Sequence, residues 1–168
     1  MTLLLSILLL TNIVGKDLSL QQVRETFAKA VEDVSENKKL LTSLEHVNVS
    51  QPVLLAYKGA AVALMAKHSY NPYAKLSFLS KSQKILEEAV TASPKDIEIR
   101  FLRFSIEHYV PSFLGYSKHL EEDRLAIVEN INQYYFKERD IVINVAKFMI
   151  ASERCTKEEI QILNKYVR

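Results

Sequence analysis

Apolar side chains return every three to four residues along most of this chain, and no segment keeps up a period-two alternation, so the pattern predicts helices throughout. Ser19, with Gln22 three residues later, forms a capping-box pattern. It opens a helix whose face carries Leu20, Val23, Phe27, Ala30, Val31 and Val34 and which ends at Asn37-Lys38-Lys39. Leu40, Leu41, Leu44 and Val47 predict a shorter helical piece after it. From Val53 to Ala66 every position except Lys58 is apolar or small, which predicts a helix from Pro52 to about His68 buried nearly all round. Asn71 and Pro72, as cap and first-turn proline, open the next helix, to about Ala92. Its inward stripe is Leu76, Phe78, Leu79, Ile85, Leu86, Ala89 and Val90, with Lys75, Lys81, Lys84, Glu87 and Glu88 facing water.

Ser93-Pro94-Lys95-Asp96 combines a cap, a first-turn proline and an acidic third position, which predicts a helix from there to about Tyr109. That helix buries Ile97, Phe101 and Phe104 together with Ile99, Leu102, Ile106 and Tyr109, while Asp96, Arg100, Arg103 and Glu107 form one polar stripe. Pro111 to Ser117 is a connector rich in aromatic residues, and Ser117 starts a helix to about Tyr135 that buries Leu120, Ile127, Val128 and Ile131. Lys137 to Asp140 is a turn, Ile141, Val145, Phe148 and Met149 build a helix to about Ala151, and Thr156 with Glu159 caps the last one. The expected fold class is all-α: six or seven helices arranged as stacked antiparallel hairpins. Three glycines and four prolines leave little turn material for a strand-rich alternative.

A chain of 168 residues is expected to make one domain, over residues 16–168. Residues 1–15 carry no charged side chain, run through Leu and Ile and end in Ile13-Val14-Gly15, which reads as a signal-peptide-like segment. Export to a periplasmic or extracellular location is the expectation; a cytoplasmic one follows if that segment belongs to the fold. The apolar run after Pro52 is shorter than the roughly 20 residues that a bilayer demands.

Leu55, Gly59 and Ala60, followed by Ser82, Leu86, Ala89 and Pro94, occupy positions that resemble the two helices of a tetratricopeptide repeat. The resemblance covers Pro52 to Pro94 and implies helical hairpins that stack on one another, with Gly59 letting the paired helix approach closely. The spacing from Gly59 to Ala89 is longer than the family's, and no repeat period of about 34 residues is visible. The same stretch resembles a group of exported bacterial helical proteins without an assigned activity, which adds no mechanism.

The 22 basic and 20 acidic side chains give a net +2 with no long run of either sign, so no nucleic-acid partner is expected. Cys155 stands alone, which excludes an intramolecular disulfide, a multi-cysteine zinc site and a CxxC redox pair. The glycines at 15, 59 and 115 are too scattered for a phosphate loop, and neither His-Glu-x-x-His nor Glu-x-x-His occurs, so no cofactor and no metal are expected. His46, His68, His108 and His119 fall in four segments and read as helix-end or partly buried histidines. Glu107 and His108 adjoin but point about 100° apart on a helix, and Glu121-Glu122-Asp123 suits the dipole of a helix start. The remaining constellation is Tyr70, Tyr73, Tyr109, Phe113 and Tyr116 with Arg100 and Arg103, residue types enriched where proteins bind proteins. A bland assignment has the tyrosines covering core and the arginines pairing with Asp96 and Glu107. The leading functional expectation is a non-enzymatic scaffold or adaptor for a protein or peptide. The alternatives are an enzyme or small-ligand binder with a pocket among His68, Tyr70, His108 and Tyr116, and a helical oligomerisation module.

Overall fold

The computed structural model describes residues 19–167; the signal-peptide-like segment 1–15 lies outside them. Among the described residues the chain is all-α, with eight α-helices, one short 3-10 turn and no strand: α1 (Leu20–Ala30), α2 (Val34–Ser43), α3 (Pro52–His68), α4 (Pro72–Ala92), α5 (Ile97–Tyr109), the 3-10 turn (Ser112–Leu114), α6 (Leu120–Tyr134), α7 (Arg139–Ala151) and α8 (Lys157–Leu163). No helix among these residues is long and apolar enough to cross a membrane.

The helix expected to run from Leu20 through Val34 is two helices. Asp33 Oδ1 accepts the N–H groups of Ser35 and Glu36, at 2.7 and 3.4 Å, and so caps a new helix; Val34 begins it and is partly exposed instead of joining the core. Asn37-Lys38-Lys39 therefore lies inside α2, where buried Asn37 donates from Nδ2 to the Ala61 carbonyl at 3.0 Å. A second correction falls at α5. Ser93 ends α4, its carbonyl accepts the Asp96 N–H, and Asp96 is the cap, with Oδ1 taking the N–H groups of Glu98 and Ile99 at 2.9 and 3.1 Å. The boxes at Ser19 and Thr156 and the Asn71 cap form as the sequence predicts.

The described residues form two hydrophobic cores. One joins Val23 and Ala30 of α1, Leu40 of α2, most of α3 and the C-terminal half of α4. The other joins Ile127 and Ile131 of α6, Val142, Val145 and Met149 of α7 and Leu163 of α8. Helix α5 belongs to both: Ile99 and Leu102, with Ile106, enter the first, whereas Ile97 and Phe104, with Phe101, enter the second. The two sets lie on opposite sides of the helix because residues two apart turn by about 200°.

Within the first core, α3 and α4 press together at Gly59. A methyl group added there would sit 2.8 Å from Leu86 Cγ, so only glycine admits the contact. Lys58, the single cation of the apolar run, turns its ammonium to the carbonyls of Glu45 and Val47 beyond α2, at 2.6 and 3.3 Å.

Candidate functional site

The two remaining faces of α5 carry charge, and both are buried. On one, Glu98 receives Arg24 of α1 through Nε and Nη2, at 2.8 and 2.7 Å, and the Tyr57 hydroxyl at 2.7 Å. Arg24 also reaches Glu138, beyond α6, at 3.2 Å. Burial and the neighbouring Glu98 carboxylate push the Tyr57 hydroxyl well above its ordinary pKa, so it stays protonated and donates. Nearby, burial and the Asp96 carboxylate raise Tyr134 to about 12.

On the other face, Arg100 and Arg103 meet Asp123, which is wholly buried in the first turn of α6. Arg103 bonds both Asp123 oxygens, at 2.8 Å each, and Glu87 of α4 at 2.6 Å; Arg100 bonds Asp123 at 2.9 Å, Glu122, and the Pro94 carbonyl at 2.8 Å. Burial opposes the charge on Arg103, but Asp123, Glu122 and Glu87 outweigh it and raise its pKa. Glu107 holds the first residue ahead of α6: its Oε2 accepts the His119 N–H at 2.7 Å, and its Oε1 lies 2.7 Å from His119 Nδ1. The arginines thus pair with neither Asp96, which caps α5, nor Glu107. At 8% and 1% exposure, Arg100 and Arg103 are removed from any partner-facing surface. A bidentate arginine–carboxylate arrangement of this kind fixes the angle between helices and occupies both guanidiniums within the fold.

The cleft beside this cluster, between α4 and α5, is lined by Ser82, Leu86, Arg103, Glu107 and Tyr116 and encloses only about 10 Å³, too little for any ligand larger than water. A wider cleft of about 320 Å³ opens between α1 and the start of α7, lined by Gln21, Arg24, Glu25, Lys137, Glu138 and Asp140 among others. The four residues weighed as an enzyme pocket are not gathered. His68 Nε2 lies 3.1 Å from the Ala30 carbonyl, Tyr70 is fully exposed, His108 Nδ1 accepts from Arg154 Nε at 2.9 Å, and only Tyr116 lines the narrow cleft. Burial and Glu159 raise the pKa of Cys155, which works against thiolate chemistry. Among the described residues no three His, Cys, Asp or Glu side chains are placed to hold a metal ion.

The aromatic residues behave differently. Tyr70, Tyr73, Tyr109 and Phe113 are all exposed, and the Tyr116 hydroxyl reaches back 3.5 Å to the Leu76 carbonyl, which lays the connector against the first half of α4. Gly115, at φ 73°, makes the turn that brings Tyr116 there. Tyr109 alone has aromatic neighbours, edge-on to His108 and Phe148. The chain matches no family model, no curated protein and no solved structure. The geometry of the chain is therefore what speaks for its function. Nothing in the sequence singled out Glu98 or Asp123 as buried anchors, or Phe136 as an exposed aromatic at the opposite end of α5 from Phe113.

Proposed function

We propose that this protein is a non-enzymatic helical adaptor that docks a protein partner on the end formed by the α3–α4 turn, the first half of α4 and the connector after α5. One observation carries the reading. The buried charges satisfy one another inside the fold, whereas Tyr73 and Phe113 project into solvent at 83% and 85% exposure with no intramolecular aromatic contact. Tyrosine and phenylalanine supply large rigid contact area at low entropic cost, which suits them to this role. The close seam at Gly59 supports regarding α3–α4 as a tetratricopeptide-like hairpin with long helices. The uncharged apolar start of the sequence supports placing the adaptor outside the cytoplasm.

The test is affinity capture with the full chain from its native host, set beside a Tyr73→Ala/Phe113→Ala chain. A partner held by the parent and lost from the variant is the expected result. A lone monomer in both preparations, or an unchanged partner, overturns the reading.

A further inference from the structure

The net charge of +2 conceals an uneven distribution. Residues 46–86 contain Lys58, Lys67, Lys75, Lys81 and Lys84 without one Asp or Glu, and residues 108–120 add Lys118, again without a carboxylate. Two of these cations are engaged within the fold: Lys58 on the carbonyls beyond α2, and Lys67 on Glu32 at 2.8 Å. Among the described residues Lys75, Lys81, Lys84 and Lys118 are exposed, and the lysines found in ion pairs are Lys39 and Lys67.

Tyr73, Ser77, Lys81 and Lys84 recur at intervals of four, four and three, so they form one exposed stripe along α4 roughly 17 Å long. Tyr116 touches the Leu76 carbonyl, three residues beyond Tyr73, and His119 Nε2 lies 3.7 Å from Glu87, three residues beyond Lys84, so the connector that carries Phe113 and Lys118 spans the same length of α4 on the adjoining side of the helix. The opposite end of the molecule has an equally exposed Phe136, but the charges around it are mixed, with Glu25 and Asp140 among Lys137 and Arg139. Among the described residues, the α4 end joins exposed aromatics to lysines that form no ion pair.

We propose that this face docks an acidic protein segment, its carboxylates over Lys81, Lys84 and Lys118 and an aromatic or aliphatic side chain against Tyr73 and Phe113. The inference rests on the docking function above and names the chemistry of the partner. Complementary charge speeds encounter and fixes register, and aromatic contact then holds the complex. A bilayer is the poorer fit. The cations run along the helix and give way to exposed Glu87 and Glu88 on its next turn, whereas a membrane surface wants cations and apolar groups at one depth without carboxylates beside them.

The experiment is an amide NMR titration of the full chain with a random copolymer of glutamate and tyrosine. The expected shifts fall on Tyr73 to Lys84 and on Phe113 to Lys118, poly-lysine produces none, and Lys81→Glu/Lys84→Glu/Lys118→Glu weakens binding by about tenfold or more, as added salt does. All three sites are exposed, and the milder Lys→Gln triple, with a smaller loss, guards against a folding defect. Shifts elsewhere, insensitivity to charge reversal, or a response confined to phosphatidylglycerol vesicles or to an oligonucleotide overturns the proposal. The capture experiment separates the two ideas. A partner lost with Tyr73→Ala/Phe113→Ala but kept by the charge-reversed chain preserves docking and sinks the acidic partner; one kept by both variants sinks both.

Discussion

Three consecutive carboxylates, Glu121-Glu122-Asp123, look alike in the sequence and have unlike surroundings. Glu121 is exposed, while Asp123 is wholly buried against α5 with two guanidiniums upon it. Removing one member of a buried ion cluster leaves charge uncompensated, which costs about 3–5 kcal/mol. Urea denaturation of Asp123→Ala should show a loss of that size, against a change within about 0.5 kcal/mol for Glu121→Ala; equal small losses would show the cluster to be dispensable. His108 offers a second residue-level test. Burial and the Arg154 charge lower its pKa from the ordinary 6.5. The unfolded chain therefore takes up the proton first, so this histidine's contribution to stability is complete above pH 6.5 and is lost as the pH falls through the lower, folded-state value. Between about pH 7.5 and about pH 5.5 the urea midpoint should fall further for the parent chain than for His108→Phe, which keeps the stack on Phe104. An equal or smaller fall in the parent contradicts that assignment.

At the scale of the element, helix identity was legible wherever apolar spacing and a cap agreed, as at Ser19, Asn71 and Thr156. It failed where two caps competed. Ser93 and Asp96 both suit an N-cap, and Asp96 prevails because the Ser93 carbonyl closes a turn onto it; Asp33 likewise divides a stripe that the apolar spacing alone would have kept whole. The expected close approach at Gly59 is real, and it gives opposing terms to weigh. Alanine gains about 1 kcal/mol of helix propensity. Its methyl group, however, meets fully buried Leu86 at 2.8 Å, and overpacking of that kind costs about 1–3 kcal/mol. Gly59→Ala should be destabilising in thermal melts of the parent and neutral or stabilising in a Leu86→Ala background, a coupling that a double-mutant cycle reads directly. Additive effects would mean that the seam is looser than the contact indicates.

For the whole molecule, the sequence displayed two apolar stripes on α5 but not that they serve separate cores, since periodicity shows which residues are buried and not against what. The same limit hid the site. Arg100 and Arg103 have the residue type of a binding surface, and their withdrawal depends on Asp123, twenty or more residues away, packing over them. The aromatic residues needed no such distant partner, and Tyr70, Tyr73, Tyr109 and Phe113 stand exposed. The proposal of recognition at the α4 end rests on charges balanced within the fold and aromatics left outside it. Photo-crosslinking in the native host tests this most directly, with the reactive residue at position 73, at 113, or at 136, whose phenylalanine is 89% exposed at the far end. The account requires a discrete protein adduct from 73 and 113 and none from 136; no adduct from the first two, or the same adduct from all three, would contradict it.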